Sequence, residues 1–125
     1  MKFTYIGICV KDMEESIRFY TEVIGMKFLG RQKVATTKGE TAGLQSPGSE
    51  LILELNYYRE GSPYATPYEP GEGLDHMGFK VDNVKVAFEE LRGKGAEVAI
   101  APFNEMGAPL AFVRDPNGIW IELYQ

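Results

Sequence analysis

The chain has 125 residues, of which 44% are hydrophobic and 25% charged, and its formal net charge is −5. This length and composition predict one compact globular domain, and the scattered charges leave no basic surface for nucleic acid or an anionic membrane. Cys9 is the only cysteine, and the sequence has neither a signal-peptide pattern nor an apolar run long enough to span a membrane. We therefore expect a cytoplasmic protein that acts on a small molecule, although composition alone would equally suit an inert scaffold.

The first half of the sequence predicts a strand, a helix and three further strands. Alternating apolar residues predict a strand over 3–10, and Asp12 is a helix N-cap with Glu15 placed for a capping box. The helix ends at Gly25. Its apolar residues recur at helical spacing: Met13, Ile17, Tyr20 and Ile24. The three strands lie near residues 26–33, 40–46 and 50–57. The last two are joined by a turn at Ser46–Ser49.

The second half predicts the same order of elements. A strand covers 75–81, and a helix over about 84–93 ends at Gly93 or Gly95. Three apolar residues mark the buried face of this helix: Val84, Phe88 and Leu91. The remaining strands lie at about 96–100, 109–114 and 119–124. Asp115–Gly118 has the sequence of a type I turn and predicts the final hairpin.

A segment rich in Pro and Gly, residues 58–73, joins the two halves. We expect one domain with a first module at about 1–57 and a second at about 74–125. The segment holds three tyrosines: Tyr58, Tyr64 and Tyr68. It is either a plain linker or the rim of a pocket, since long irregular loops often carry function.

Two short segments of the first half return in the second half. Tyr5–Val10 returns as His76–Val81, and Leu51–Leu55 returns as Ile119–Leu123. Two copies in a chain of this size predict two modules related by a pseudo-two-fold axis.

Strand alternation places four polar side chains on the face of their sheet that lies away from the helix: Tyr5, Glu54, His76 and Glu122. Gly7 and Gly78 lie on the same face and leave room for a ligand. One such glutamate is usually just solvated, and a lone histidine is usually structural. Three metal-ligand or acid–base residues at repeat-related positions favour a functional site.

Three segments carry a family resemblance, at 10–26, 74–83 and 112–123. Through them the sequence resembles the vicinal oxygen chelate superfamily, and within it the glyoxalase I-like proteins of the glyoxalase/bleomycin resistance/dioxygenase group. The resemblance implies an α+β fold of two βαβββ modules, whose curved mixed sheets form a cleft for a divalent metal. It also implies a homodimer.

The same resemblance implies roles for individual residues. The family's metal-ligand positions fall on Tyr5, Glu54, His76 and Glu122. In glyoxalase I-like enzymes the metal chelates vicinal oxygens of a thiohemiacetal, and a glutamate moves the proton through an enediolate. Glu122 is then the base with Glu54 as its counterpart, and Glu54, His76 and Glu122 bind Ni, Mn, Fe, Co or Zn. Tyr5 replaces the usual His or Gln, and we expect it to orient the substrate as a third catalytic residue.

Two further positions differ from the glutathione-dependent enzymes. Cys9 stands where an arginine is common, and Tyr58 where an asparagine is common. These changes argue against the usual glutathione-dependent activity. With Trp120, both residues are expected to contact the substrate. Cys9 is either a reactive thiol or a small space-filling residue.

Two functions follow as hypotheses. The first is a metal-dependent lyase or isomerase acting on a thiohemiacetal or related carbonyl or thioester, including chemistry like that of methylmalonyl-CoA epimerase. Extradiol dioxygenase chemistry fits less well, because the chain has a single histidine. The alternative is a metal-free protein that binds a drug or antibiotic, with aromatic walls from Tyr57, Tyr58, Tyr64, Tyr68, Trp120 and Tyr124.

Overall fold

The computed structural model describes residues 4–65, 69, 74–105 and 107–125. The chain forms two compact units, which we call unit one, Met1–Tyr68, and unit two, Glu69–Gln125. Each unit has a four-stranded mixed sheet and a helix that packs on one face of it. None of the helices within these ranges is long and apolar enough to cross a membrane.

Unit one has the predicted order of one strand, one helix and three strands. Its elements are β1 (Tyr5–Cys9), α1 (Met13–Arg18), β2 (Lys27–Val34), β3 (Gly39–Gln45) and β4 (Ile52–Tyr58). The sheet order is β1-β4-β3-β2, with β1 parallel to β4 and the other pairs antiparallel. Short turns join β2, β3 and β4 into antiparallel neighbours, whereas the crossover through α1 allows β1 to pair in parallel. β2 carries a bulge between Phe28 and Gly30.

The first helix differs from the prediction of one regular helix up to Gly25. Asp12 caps it as predicted, since its Oδ1 accepts a hydrogen bond of 2.8 Å from the Glu15 amide. The α-helix ends at Arg18, and a π-helical turn continues over Phe19–Val23. The wider turn brings Phe19 and Tyr20 side by side into the core, so Ile17 is only half-buried. Gly25 then ends the segment with φ +87°.

Unit two repeats the architecture, which confirms the predicted duplication. Its elements are β5 (His76–Lys80), α2 (Val84–Gly93), β6 (Glu97–Glu105), β7 (Ala108–Arg114) and β8 (Trp120–Tyr124). The sheet order is β5-β8-β7-β6, with β5 parallel to β8. Asn83 caps α2 by accepting a hydrogen bond from the Val86 amide, and Gly95 with φ +94° follows the helix end.

One strand of unit two is longer than predicted. β6 was expected to end near residue 100 but continues to Glu105. Two register irregularities interrupt its pairing with β7, on either side of Ile100. Pro102 is compatible with this strand because β6 is the edge of its sheet and can leave a backbone position unpaired. The other strands begin and end within two residues of their predicted limits.

Burial alternates along the inner strands, as the sequence pattern predicts. In β4, Leu53 and Leu55 are buried while Glu54 between them is half-buried. In β8, Ile121 and Leu123 are buried in the same way around Glu122. The apolar faces pack against the helices, so both glutamates lie on the opposite face of their sheets.

Candidate functional site

In unit two, the structure brings together two of the residues singled out from the sequence. His76 Nε2 lies 3.2 Å from Glu122 Oε2. The parallel register pairs Gly78 with Glu122, and a Cβ at Gly78 would lie 3.4 Å from Glu122 Oε2. The glycine therefore leaves space for the carboxylate. Only 19% of the Glu122 side chain is exposed, which places the pair at a partly desolvated position on the sheet face.

Two further residues hold the imidazole of His76. Its Nδ1 lies 2.6 Å from Asp75 Oδ2. The ring of Phe112 meets it edge-on, with centroids 5.8 Å apart and an interplanar angle of 84°. The sequence interpretation missed both. Phe112 could have been found from the final hairpin, since the turn at Asp115–Gly118 sets Phe112 opposite Glu122.

The charges around His76 suit a cation. A neutral imidazole has one N–H, yet each of its nitrogens faces a carboxylate. The Asp75 carboxylate can only accept and is the closer of the two, so the neutral tautomer with its proton on Nδ1 fits this geometry best. The lone pair of Nε2 then faces the Glu122 carboxylate, so two groups that can only accept lie side by side. A cation between Nε2 and Glu122 would relieve their mutual repulsion.

The donor geometry also suits a divalent metal. Two donor atoms bound to one ion at about 2.1 Å and at right angles are roughly 3 Å apart. The His76–Glu122 separation of 3.2 Å is close to this value, so the pair fits two positions of such an ion. Within the described ranges, no three His, Cys, Asp or Glu side chains form a group that could hold a metal. The complete ligand set with Glu54 stays a prediction.

In unit one, Glu54 has the position that corresponds to Glu122. The sheet register places it between Gly7 of β1 and Gly43 of β3. Its Oε1 accepts a hydrogen bond of 3.2 Å from Asn56 Nδ2. Leu29 lies over Gly43, where an added Cβ would be 3.7 Å from the Leu29 Cβ. Glu54 is thus oriented by an amide, whereas Glu122 faces an imidazole.

Three of the predicted site residues share one neighbourhood of unit one. Burial raises the pKa of Tyr58, and the charges of Cys9, Glu54 and Tyr64 raise it further. Tyr58 also stacks on Tyr64, with ring centroids 5.9 Å apart and an interplanar angle of 26°. Cys9 is exposed on the sheet face, and its two interpretations, a reactive thiol or a small space-filling residue, stay predictions. Tyr68, the third tyrosine of the predicted rim, lies outside the described residues.

Tyr5 begins β1 on the same face as Gly7 and is 56% exposed. It pairs in register with Ile52, two residues from Glu54 along β4. This position leaves the phenol accessible to a ligand. Its role in orienting a substrate stays a prediction.

Trp120 lies in an aromatic cluster beside Glu122. Its ring centroid is 5.5 Å from that of Phe112, which in turn stacks on Phe103 at 6.4 Å. The guanidinium of Arg114 lies over the indole at 5.8 Å. Glu122 of unit two therefore lies beside aromatic rings, with Phe112 as its partner on the next strand. The corresponding partner of Glu54 in unit one is Gly43.

Known proteins resemble the chain over nearly its whole length. Lactoylglutathione lyase of Escherichia coli O157:H7 is 33% identical over 129 residues, which cover 100% of this chain and 93% of that protein. A lactoylglutathione lyase of Arabidopsis thaliana is 32% identical over 128 residues, covering 99% of this chain and 44% of the relative. The chain thus spans less than half of this plant relative.

Solved structures share the fold. Trypanothione-dependent glyoxalase I of Leishmania major has a TM-score of 0.78 at 30% identity, and the match covers 100% of this chain and 86% of the Leishmania chain. TnmS3, an antibiotic-binding protein of Streptomyces sp. CB03234, has a TM-score of 0.77 at 23% identity, and the match covers 100% of this chain and 95% of the TnmS3 chain. At that identity the second likeness concerns the fold alone.

The profile of one family matches residues 2–123. The match includes both units, each with a glutamate at the third position of its last strand. The chain therefore belongs to the Glyoxalase/Bleomycin resistance protein/Dioxygenase superfamily.

Proposed function

We propose that this protein is a metal-dependent lyase or isomerase of the glyoxalase I type, acting in the cytoplasm on a small substrate with vicinal oxygens. The observation that carries the proposal is the contact of 3.2 Å between His76 Nε2 and Glu122 Oε2 on an open sheet face. The relatives named lactoylglutathione lyase support the reaction class. We further propose a homodimer, which light scattering of the purified protein will test.

The proposed metal ligands are Glu54, His76 and Glu122. When bound, a divalent cation supplies Lewis-acid polarisation of a substrate carbonyl. Glu122 removes the proton from the carbon next to that carbonyl and delivers it to the carbonyl carbon itself. Glu54 accepts a hydrogen bond from Asn56 and is the corresponding base of unit one, which can remove or return the same proton. Tyr5 donates a hydrogen bond to a substrate oxygen.

The side chains beside the glutamates favour a substrate with an apolar or aromatic group. Phe112 and Trp120 border Glu122, and Tyr58 lies near Glu54. Cys9 offers no positive charge for a carboxylate of glutathione. We therefore propose a thiohemiacetal, or a related carbonyl or thioester, whose recognition depends on ring contacts more than on ion pairs.

A deuterium-exchange assay tests the reaction. The protein is purified without chelator, its metal content is measured, and thiohemiacetals of methylglyoxal and phenylglyoxal are formed with glutathione or with 2-mercaptoethanol in D₂O. NMR follows deuterium entering the carbon that accepts the proton. We expect exchange and product formation with metal-loaded protein, and more turnover with phenylglyoxal than with methylglyoxal.

Glu122→Gln keeps the shape of the side chain but removes the base. We expect the rate to fall by about 100-fold or more. Glu90→Gln on the surface of α2 is the matched control and should leave the rate unchanged, since Glu90 pairs with Lys94 on the helix. Unchanged turnover in Glu122→Gln, or wild-type protein that neither binds metal nor turns over any of these compounds, would contradict the proposal.

A second function is a metal-free protein that binds an aromatic drug. The packing of Trp120 against Phe112 favours it, because half-buried rings in such a cluster can stack on a planar ligand. Trp120 is the only tryptophan, so its fluorescence reports on this place. Saturable quenching by bleomycin in the presence of EDTA, without turnover in the assay above, would favour binding over catalysis.

A further inference from the structure

Asp75 is the first neighbour of the proposed metal-binding histidine, and its side chain is 95% exposed. It precedes β5, so the strand alternation that separates neighbouring side chains does not apply to it. Its carboxylate therefore reaches the Nδ1 of His76, at 2.6 Å. An exposed ion pair usually contributes little to stability. We therefore consider the effect of the Asp75 contact on the orientation and protonation of the His76 ring.

Among the described residues the imidazole has three contacts, with Asp75, Phe112 and Glu122, and each fixes a different property. Asp75 Oδ2 lies 2.6 Å from Nδ1, where a carboxylate can accept a hydrogen bond from a protonated Nδ1. Phe112 meets the ring edge-on and limits its rotation. Glu122 lies 3.2 Å from Nε2, which marks the side where a cation would sit.

We propose that Asp75 is a positioning residue, which holds the proton of His76 on Nδ1 and leaves the lone pair of Nε2 directed at the metal position beside Glu122. The inference deepens the proposed function and rests on its metal site. Carboxylates that accept from a metal-binding histidine orient the ring and raise its basicity, and their loss weakens metal binding by about 10- to 100-fold.

The test uses the fact that His76 is the only histidine in the chain. Protein labelled with ¹⁵N-histidine gives one pair of ring nitrogen signals, and long-range ¹H–¹⁵N spectra at mildly alkaline pH report which nitrogen is protonated. We expect a protonated Nδ1 in the wild type. In Asp75→Ala the proton should distribute to Nε2, and in Asp75→Asn, whose amide oxygen still accepts, the wild-type pattern should largely remain.

Metal affinity is the second readout, with Ni²⁺ alone as the probe in competition with a chelating dye. We expect Asp75→Ala to weaken binding by about 10- to 100-fold and Asp75→Asn by less. Asp82→Ala is the matched control, because it removes one exposed carboxylate at the far end of β5, about 20 Å along the strand. It should change neither readout, and thermal unfolding will verify that all variants are folded.

The outcomes separate this inference from the proposed function. Ring signals of Asp75→Ala identical to those of the wild type would overturn the role of Asp75, whether or not metal binds. A wild-type protein with Nδ1 protonated that nevertheless binds no Ni²⁺ would overturn the metal site of the proposed function, while the shift of the proton in Asp75→Ala would still support Asp75's control of the ring.

Discussion

Gly7 and Gly78 have matching places beside the two glutamates, yet they make room for different neighbours. A Cβ at Gly7 would lie 3.1 Å from Asn56 Nδ2, the group that donates to Glu54. At Gly78 the same atom would lie 3.3 Å from the ring of Tyr124. The glycine of unit one thus protects a hydrogen bond to the carboxylate.

We expect Gly7→Ala to displace the Asn56 amide and break its hydrogen bond to Glu54. The lost bond costs about 0.5–1.5 kcal/mol, and the smaller entropy of the unfolded chain restores about 0.4–1 kcal/mol. The unfolding free energy should therefore change by less than about 1 kcal/mol, while the side-chain amide signals of Asn56 move in NMR spectra. Gly93→Ala, with open space around its Cβ, is the control. Unmoved Asn56 signals in Gly7→Ala would refute the prediction.

Some features of individual residues could be predicted from the sequence and others could not. Alternation alone placed Glu54 and Glu122 on the face away from the helices, because a strand has a strict two-residue period. It could not find the contact between Asp75 and His76, since that contact depends on side-chain torsions at the irregular start of β5. The exposure of Cys9 likewise depends on the neighbours on its sheet face, which the sequence does not specify.

Among the elements, the β7–β8 hairpin carries both Phe112 and Glu122 of the proposed site. Asp115 Oδ1 accepts from the amides of Asn117 and Ile119, both at 2.8 Å, and Asp115 Oδ2 accepts from Asn117 Nδ2 at 2.9 Å. Asp115 and Asn117 are both buried. The turn fixes the register in which Phe112 lies opposite Glu122.

Asp115→Ala should destabilise the protein by at least about 3 kcal/mol, because two buried backbone amides lose their acceptor at about 1–3 kcal/mol each and the Asn117 side-chain amide loses a third bond. Asp115→Asn should cost less than half of this, since one amide oxygen can still accept from both backbone groups. Urea unfolding measures the difference. Equal losses in the two variants would mean that the charge, and not the acceptor oxygen, holds the turn.

A second set of contacts surrounds Arg31 of unit one. Arg31 of β2 bonds Glu40 of β3, with Nε 2.7 Å from Oε2, and also pairs with Glu14 of α1. The hydrogen bond from Arg31 holds the pKa of Glu40 below its ordinary value of 4.5, although partial burial opposes the shift. Ionised Glu40 is therefore favoured in the folded state.

We expect Glu40→Gln to lower stability at neutral pH by about 1 kcal/mol or less. A lowered pKa in the folded state stabilises the protein above pH 4.5, and this contribution is lost as the pH falls through the folded-state pKa. The difference between wild type and variant should therefore vanish in acid. Glu14→Gln is the control, since its side chain is 75% exposed and should cost almost nothing. A difference that persists in acid would contradict the electrostatic cause.

Across the whole molecule, the repeated order of strand, helix and three strands was predictable because each half contains its own turns, caps and periodicities. The first helix is the exception. Its apolar spacing predicted a regular helix, but tertiary packing of Phe19 and Tyr20 favours a π-helical turn that no local signal marks. The proposed combination of Glu54 with His76 and Glu122 in one metal site stays a prediction, because it depends on more than local sequence.

Metal binding should raise the stability of the entire protein. At a free Ni²⁺ concentration 100-fold above the dissociation constant, binding to the folded state alone contributes about 2.7 kcal/mol, which corresponds to roughly 10 °C in Tm for a chain of this size. Thermal unfolding should show this shift in the wild type and lose it in Glu122→Ala, while Glu90→Ala keeps it. An equal shift in Glu122→Ala would mean that Ni²⁺ binds elsewhere.

The irregular edges of the two sheets have a consequence for association between molecules. β2 is an outer strand with a bulge and with Lys27, Arg31 and Lys33 along it, and β6 is an outer strand interrupted by Pro102. Charges, bulges and proline hinder the docking of a foreign strand on such an edge. Straightening β6 with Pro102→Val would remove one of these barriers and so increase the tendency to form amyloid-like aggregates.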